Sequence, residues 1–291
     1  MSLFYRGALC AGLCLLAACT SPSLVGRGAY YADTSHRAPG ADSRIRFLVM
    51  HYTESGEAQS LRTLTGDAVS AHYLVPAQPP IEWGKPIVYQ LLPEAQRAWH
   101  AGVSSWQGAT ELNAASIGIE NVNGGPIDTP QGRTWQPYPP GQVDALIRLS
   151  KDIVERYQIP PTRVVGHSDI APQRKIDPGP LFPWRALAQA GVGAWPDDAT
   201  VAARLAGRDP HASADVRALQ LKLARYGYDV PTDGTLDART RRVFAAFQMH
   251  FRPSDCAGNP DAETDAIAQA LLDKYFPGQA PAADGAPGGA P

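Results

Sequence analysis

Two histidines and one aspartate occupy positions from which they could bind a metal ion together. His51 directly follows the apolar residues 47–50, and His167 directly follows a second short run, residues 164–166. Asp177 comes ten residues after His167. Two imidazoles and one carboxylate are a zinc ligand set that leaves a fourth position open for water, as a catalytic zinc requires. The spacing alone does not establish such a site, because the histidines are 116 residues apart and no HExxH motif is present, so a structural role stays open for each.

Two further charged residues could complete the machinery of a hydrolase. Glu120 ends the apolar run 117–119, where a buried carboxylate is costly unless it has a partner or a role. Lys175 precedes Asp177 by two residues, so both side chains project to the same side if this segment is extended. Hydrolysis of an unactivated amide needs an acidified water, a base for its proton and a cation near the developing oxyanion. Glu120 and Lys175 fit the last two roles, and a surface salt bridge is the alternative for both.

Short apolar runs and one amphipathic segment must position these residues. Strands are predicted at residues 44–50, 71–75, 87–91, 117–120 and 163–166. Residues 142–157 place apolar side chains on one face and charged side chains opposite, which predicts a helix. The Pro-rich residues 76–86 predict a loop. Strands interleaved with helices indicate an α/β or α+β fold, with the site in loops at the strand ends.

A different pattern begins after residue 190. Residues 191–211 are rich in Pro, Gly, Ala and Asp, and we expect a linker there. Residues 212–276 predict a small domain of three helices, in which Ser213 can cap the first helix, Asp237 can cap the second and Asp261 opens the third. Gly227 is placed to end the first of them. Three such helices can form a marginal independent core.

The composition narrows the class of protein. The 291 residues are 44% hydrophobic, enough for a sizeable core, and 27 Gly with 27 Pro stay below the share typical of low-complexity chains. A net charge of −2 argues against a nucleic-acid partner, because such proteins need a basic face. Outside the N-terminus no apolar run approaches the roughly 20 residues that cross a bilayer, which excludes a polytopic membrane protein.

The N-terminus is predicted to be a targeting segment. Residues 1–18 carry one Arg before an apolar stretch too short for a mature membrane helix, as signal peptides do. This stretch ends in Leu-Ala-Ala before Cys19, which resembles the lipobox of bacterial lipoproteins, and an ordinary cleaved signal peptide is the alternative. The resemblance implies a lipid anchor on Cys19. The residue after this cysteine is Thr20 rather than Asp, which in bacterial lipoprotein sorting implies a periplasm-facing outer-membrane location if the host is Gram-negative. Residues 19–43 would then be a flexible tether, and residues 277–291 are predicted to be a disordered tail.

Five blocks of sequence resemble, in order, those of one enzyme family. The blocks are MHYT (50–53), SAHYLV (70–75), AWHAG (98–102), SIGIEN (116–121) and GHSDIAP (166–172). They are similar to blocks of the zinc-dependent N-acetylmuramoyl-L-alanine amidases, whose fold is shared with peptidoglycan recognition proteins and amidase-type phage lysozymes. With the lipobox, the likeness is to lipoprotein amidases of the outer membrane. It implies an α/β domain over residues 44–190, with a mixed central sheet flanked by helices.

The same resemblance implies a role for each candidate residue. It makes His51, His167 and Asp177 the ligands of Zn²⁺, Glu120 the catalytic acid and base, and Lys175 the residue that stabilises the oxyanion.

Other positions in the family blocks are expected to shape the groove. His100, Trp99 and Asn113 are predicted to contact substrate, and His72 is predicted to be structural. The Pro-rich residues 78–86 depart from the family pattern, where a shorter polar turn is common, and leave the shape of one groove wall open.

The three predicted C-terminal helices resemble a second family. Their LQ, GY, DG and FQ pairs are similar to those of the three-helix peptidoglycan-binding domain, and a helical appendage that only packs on the amidase is the alternative. Together the resemblances imply hydrolysis of the amide between N-acetylmuramic acid, or its anhydro form, and the L-alanine of the stem peptide. Peptidoglycan and muropeptides would be the partners, in cell-wall turnover or recycling. A non-catalytic recognition lipoprotein and a zinc peptidase remain alternatives, and the complete ligand set favours catalysis.

Overall fold

The computed structural model describes residues 23–278, which form two compact units, 23–42 and 43–278. The predicted signal peptide and Cys19, the predicted site of lipidation, lie outside the described residues, as does the predicted tail from residue 279 onward. No helix within residues 23–278 combines the length and the apolar character needed to cross a bilayer.

The smaller unit contains a short β-hairpin. In it β1 (Leu24–Gly26) pairs antiparallel with β2 (Tyr31–Asp33). The backbone N and the side-chain Oγ1 of Thr34 both donate to the carbonyl oxygen of Ser23, which closes the hairpin. This corrects the prediction of a structureless tether over residues 19–43. The two strands have only three residues each, too few to show an alternating pattern in the sequence.

The larger unit alternates strands and helices along the chain. Its first elements are β3 (Phe47–Tyr52), α1 (Glu57–Leu64), β4 (Tyr73–Val75), β5 (Ile81–Glu82), β6 (Lys85–Pro86), β7 (Tyr89–Gln90), β8 (Ser105–Trp106), β9 (Ala109–Thr110), β10 (Ser116–Asn121), β11 (Pro126–Thr129) and β12 (Gly132–Trp135). They are followed by α2 (Pro140–Tyr157), β13 (Val164–Gly166), α3 (His167–Ile170), α4 (Trp184–Gln189), α5 (Asp198–Leu205), α6 (Val216–Tyr226), α7 (Ala238–Phe251) and α8 (Ala262–Tyr275). Short 3-10 turns at Leu112–Ala114 and Pro161–Arg163 precede β10 and β13.

A five-stranded mixed sheet forms the centre of this unit. The strand order is β13-β3-β10-β4-β7, in which the first four strands are parallel and β7 is antiparallel. All six residues of β3 are buried, as expected for a central strand covered on both faces. Leu146 and Ile153 of α2 lie in one apolar cluster with Leu48 and Met50 of β3. The predicted α/β architecture, a mixed sheet flanked by helices, is confirmed.

The C-terminal helices share a core with the sheet. Successive side chains of a strand point to opposite faces, so Phe47 and Val49 face away from the cluster that holds Leu48. They belong to a second cluster, which continues into Leu219 of α6 and Phe244 of α7. The three-helix domain expected over residues 212–276 therefore does not have a core of its own.

The strand at the centre of the sheet extends beyond its predicted end. β3 was expected to end at residue 50, but it continues through Tyr52 because β10 pairs with it as far as Asn121. His51 consequently lies within the strand, opposite Glu120 on β10, rather than after it. The strands predicted at residues 71–75 and 87–91 are shorter in the structure, as β4 and β7. The predicted loop over residues 76–86 contains the small β5–β6 hairpin.

The helix ends depend on local capping groups. Asp215 caps α6 by accepting a hydrogen bond from the backbone N of Ala218, so the cap is not Ser213, which was predicted. Ser213 instead forms a β-bridge with Asp261. Asp237 and Asp261 cap α7 and α8 as predicted. The helix predicted to begin at residue 142 begins at Pro140, since proline is favoured in the first turn.

Residues 191–211, predicted to be a linker, fold against the rest of the unit. Val192 and Ala194 are buried, and α5 packs along α8 with an ion pair of 2.6 Å between Arg204 and Asp273. None of the α5 residues is fully buried, so the helix leaves no apolar stripe in the sequence. The linker prediction is therefore incorrect for this segment.

Candidate active site

The three predicted metal ligands meet at one point. Nδ1 of His51 lies 3.0 Å from Nδ1 of His167 and 3.0 Å from Oδ2 of Asp177. Nδ1 of His167 lies 3.1 Å from the same carboxylate oxygen. All three side chains are buried. Residues far apart in the sequence thus form a compact donor set.

The parallel sheet explains this convergence. β3 and β13 are neighbours, and His51 stands near the carboxyl end of β3 while His167 directly follows β13. Carboxyl ends of parallel strands meet at the same edge of a sheet, where ligand sites are common in α/β folds. The chain then returns, and the backbone N of Ser168 donates to the carbonyl oxygen of Asp177 at 2.8 Å, which holds the third ligand beside the second.

The pKa values of His51 and Asp177 favour the forms that bind a metal. Burial lowers the pKa of His51 to about 4, and the neighbouring His167 acts in the same direction. Burial alone would raise the pKa of Asp177, but His167 and His51 outweigh it and hold that pKa below its usual range. At neutral pH His51 is a neutral imidazole and Asp177 a carboxylate, the protonation states that metal ligands need.

Glu120 lies beside the donor set without a partner for one of its oxygens. Its Oε2 atom is buried and has no hydrogen-bond partner among residues 23–278. Burial raises the pKa of Glu120 well above its usual range, the charge of Asp177 raises it further, and Lys175 acts in the opposite direction. No ion pair joins Glu120 to Lys175 in the described part of the chain, so the surface salt bridge considered from the sequence does not form. A carboxyl group whose pKa is raised in this way holds a proton more tightly than an exposed glutamate does, as a group that must both take and return a proton requires.

The five residues line one open cleft of about 330 Å³. One wall comes from the segment after β3 and from α1, and it includes Thr53, Ser55 and Thr63. Val69 contributes from the segment before β4, and Trp99 contributes from the segment between β7 and β8. Residues 78–86 do not line the cleft, so the Pro-rich departure from the family pattern does not alter its walls.

The three residues predicted to contact substrate lie in different environments. Trp99 lines the cleft and is 55% exposed. His100 also lines it but is largely buried, with its ring against His51. Asn113 is buried outside this cleft, and its Oδ1 accepts hydrogen bonds from the backbone N of His100 and Ala101 at 3.0 and 2.7 Å. Trp99 alone of the three presents an exposed side chain to a ligand.

Sequence reasoning did not identify the groups that contact the second ring nitrogen of His51 and of His167. Nδ1 of His100 lies 3.0 Å from Nε2 of His51, and the carbonyl oxygen of Ala101 lies 3.1 Å from Nε2 of His167. Arg174 donates to the carbonyl oxygens of Ala101 and Val103. The AWHAG block was the available signal, but it does not show which atoms face the ligands.

A buried carboxylate links α3, which begins with His167, to the C-terminal part of the chain. Asp169 in α3 accepts hydrogen bonds from the backbone N of Gly166 at 2.7 Å, from Nδ1 of His250 at 2.7 Å and from the hydroxyl of Tyr228 at 2.6 Å. The ring of His250 stacks on Trp184 with the centroids 3.7 Å apart. Sequence reasoning missed this network, whose members lie on separate elements.

The donor set fits a divalent metal ion. The three ligand atoms all lie within 4.8 Å of one another. The second ring nitrogen of each histidine faces a hydrogen-bond partner, His100 for His51 and the carbonyl oxygen of Ala101 for His167, as is usual for metal-binding histidines. The arrangement can hold a metal beside a carboxyl group and a lysine, which together are suited to metal-assisted hydrolysis.

Two family models match the chain. Residues 41–180 match the family described as N-acetylmuramoyl-L-alanine amidase. Residues 212–267 match a peptidoglycan binding domain.

Similar proteins and solved structures agree with these matches. The N-acetylmuramoyl-L-alanine amidase AmiD of Escherichia coli K12 is 54% identical over 268 residues, which are 92% of this chain and 97% of AmiD. The structure of E. coli AmiD in complex with anhydro-N-acetylmuramic acid-L-Ala-D-gamma-Glu-L-Lys gives a TM-score of 0.83 and covers 87% of this chain and 98% of that chain. The crystal structure of AmpDh3 from Pseudomonas aeruginosa, 41% identical, gives a TM-score of 0.74 and covers 86% of this chain and 98% of that chain. The chain therefore belongs to the N-acetylmuramoyl-L-alanine amidase family and is an amidase with a peptidoglycan-binding domain.

Proposed function

We propose that this amidase is zinc-dependent and hydrolyses the bond between N-acetylmuramic acid, or its anhydro form, and the L-alanine of the stem peptide. The observation that carries the proposal is the cleft in which two histidines and an aspartate meet beside Glu120 and Lys175. The substrate class is supported by two relatives. AmiD is described in complex with the substrate anhydro-N-acetylmuramic acid-L-Ala-D-gamma-Glu-L-Lys, and AmpDh3 in complex with an anhydromuramic pentapeptide.

The three ligands would hold zinc through identified atoms. His51 and His167 would contribute Nδ1, and Asp177 would contribute Oδ2. Two imidazoles and one carboxylate suit zinc and leave a position open for catalysis. When bound, zinc would acidify a water molecule and polarise the carbonyl of the substrate.

The charged residues beside the ligands have complementary roles. Glu120 takes the proton of the attacking water and returns it to the nitrogen of the departing L-alanine. Both transfers require a pKa near the working pH, and burial moves the pKa of Glu120 in that direction. Lys175 lines the same cleft and supplies a positive charge near the carbonyl oxygen as that atom becomes anionic.

The C-terminal helices and the N-terminus are proposed to keep the enzyme near its substrate. The match to a peptidoglycan binding domain supports wall binding, which would raise the local concentration of the substrate. The sequence around Cys19 supports a lipid anchor and a periplasm-facing outer-membrane location in a Gram-negative host. These features suit a role in cell-wall turnover or recycling.

The activity is tested by mass spectrometry of a defined muropeptide incubated with residues 20–291. We expect free stem peptide that begins with alanine, loss of this product with a zinc chelator and recovery when zinc is added. Intact muropeptide in the presence of bound zinc would favour a recognition protein, and cleavage inside the stem would indicate a peptidase.

The anchor is tested separately in cells. Full-length protein should incorporate a labelled fatty acid and sediment with the outer membrane, whereas Cys19→Ser should do neither. Incorporation by the Cys19→Ser variant would contradict lipidation at this residue.

A further inference from the structure

From Nε2 of His51, a chain of hydrogen bonds runs through the side chains of His100 and Ser116 to the backbone carbonyl of Leu112. Nε2 of His51 lies 3.0 Å from Nδ1 of His100, and Nε2 of His100 lies 3.1 Å from Oγ of Ser116. The Ser116 hydroxyl in turn donates to the carbonyl oxygen of Leu112 at 2.6 Å. All three side chains are buried, so water does not compete for these contacts.

The carbonyl at the end of this chain sets the direction of every proton in it. A carbonyl oxygen only accepts, so Ser116 uses its single proton on Leu112 and accepts the Nε2 proton of His100. A neutral imidazole with its proton on Nε2 has a lone pair on Nδ1, and that lone pair of His100 accepts the Nε2 proton of His51. With these protons in place, His51 offers its lone pair on Nδ1 to a metal ion; without the ion, the Asp177 carboxylate 3.0 Å away competes for a proton on that atom.

We propose that His100 is a positioning residue of the metal site, which together with Ser116 holds His51 in the tautomer that can bind the metal through Nδ1. The inference rests on the proposed function, because it requires a metal at this site. It gives His100 a role that differs from the substrate contact expected from the sequence.

The surroundings of His100 hold its ring in place. A Cβ atom at Gly118 would lie 2.5 Å from Cγ of the His100 ring, so β10 makes room for the ring with a residue that has no side chain. Oδ1 of Asn113 fixes the backbone of the loop at His100 and Ala101. The ring of His72 packs edge-on against the His100 ring, with the centroids 5.9 Å apart. Confined by β10 and by the fixed backbone of the loop, the His100 ring keeps its two nitrogens directed at His51 and Ser116, whereas His72 adds a packing contact that an apolar side chain can also make.

Three variants separate the positioning role from simple packing. His100→Leu fills the space but removes the acceptor for His51. His100→Asn is the conservative variant, because its side-chain oxygen can replace Nδ1 as an acceptor. His72→Leu is the matched control: His72 is also buried and next to His100, but it bonds to the carbonyl oxygen of Gln96 and the backbone N of Gly118 rather than to a ligand.

The first measurement is zinc affinity, determined by competition with a chromophoric chelator. We expect His100→Leu to weaken zinc binding by about 10–100-fold, the usual effect of losing a partner of a metal-binding histidine. His100→Asn should recover most of the affinity, and His72→Leu should bind zinc as the wild type does. Wild-type affinity in His100→Leu, or an equal loss in His72→Leu, would overturn the proposal.

The second measurement uses the zinc-loaded protein and does not depend on activity. In ¹⁵N NMR of the imidazoles, the Nε2 proton of His51 should exchange slowly with water in the wild type and in His100→Asn, and rapidly in His100→Leu. Equally slow exchange in His100→Leu would overturn the proposal. A wild-type protein that binds no zinc would instead overturn the proposed function, so the two failures are distinguishable.

Discussion

Replacing Tyr228 with phenylalanine removes one of three donors from a buried carboxylate next to a metal ligand. The Tyr228 hydroxyl donates to Oδ1 of Asp169 at 2.6 Å, and Asp169 follows His167 by two residues in α3. Tyr228 lies just beyond α6, in the C-terminal part of the chain. The substitution therefore measures how strongly the C-terminal part stabilises α3, the short helix that begins with His167.

The expected loss follows from the burial of both groups. Asp169 is 1% exposed and Tyr228 is 3% exposed, so water does not replace the missing hydroxyl. A hydrogen bond to a charged group contributes about 1.5–3 kcal/mol to the free energy of unfolding. At about 1.4 kcal/mol per tenfold change, the unfolding equilibrium constant should rise by roughly 10–150-fold. For a domain of this size the Tm should fall by about 3–12 °C.

Tyr226→Phe is the matched control for this experiment. Tyr226 is also buried, at 2% exposure, but within residues 23–278 its hydroxyl makes no hydrogen bond. Urea denaturation of the zinc-free proteins gives the free energy of unfolding, and calorimetry gives the Tm. Equal losses in the two variants would refute the reasoning, because the Tyr228 hydroxyl would then contribute no more than an unpaired one.

The remaining predictions concern the catalytic groups and the dependence of stability on pH. Glu120→Gln should keep zinc but lower kcat by roughly 10²–10⁴-fold, because the substitution removes the base. Metal analysis and an assay of muropeptide hydrolysis test this prediction, and full activity of the variant would contradict it. His167→Ala leaves two ligands and should lose both zinc and activity, which metal analysis of the purified variant can disprove. Hydrogen bonds from Arg156 lower the pKa of Glu94 from 4.5 to about 2, so its stabilisation is complete above pH 4.5 and is lost as the pH falls towards 2. Arg156 is partly exposed, so we expect only part of this shift as stability: without zinc, the free energy of unfolding of Glu94→Gln should be roughly 1–2 kcal/mol below that of the wild type at pH 7. The difference between the two proteins should close towards pH 2. A difference that does not change with pH in urea denaturation would contradict this prediction.

The parts of the fold that sequence could predict are those with a clear apolar pattern. The runs that became β3, β10 and β13 are buried on both faces, so they appear as continuous apolar segments. α2 has the apolar stripe of a helix that packs on a sheet. By contrast, α5 buries no residue completely and was not found, and the exact end of β3 depends on its pairing with β10.

The candidate site was predictable in its residue types but not in its supporting contacts. Histidines and acids beside apolar runs, together with the family blocks, identified the residues that the structure brings into one cleft. The role inferred here for His100 depends on a carbonyl at Leu112, and neither the direction of a proton nor the acceptor at its end is visible in a sequence. The contact of Asp169 with Tyr228 joins residues 59 positions apart on elements whose packing the pattern does not specify.

The core shared by the sheet and the C-terminal helices has a consequence for how the enzyme moves along its polymer. An enzyme joined to its binding module by a flexible segment can reach any bond within the radius of that segment. Here Phe47 and Val49 pack in the same cluster as Leu219 and Phe244, so the two parts rotate and diffuse as one body. A wall strand bound by the helices would present to the cleft only the bond at one fixed distance and direction. Each further cut would then require release and rebinding of the whole molecule, and the architecture of the enzyme would set the spacing of its cuts.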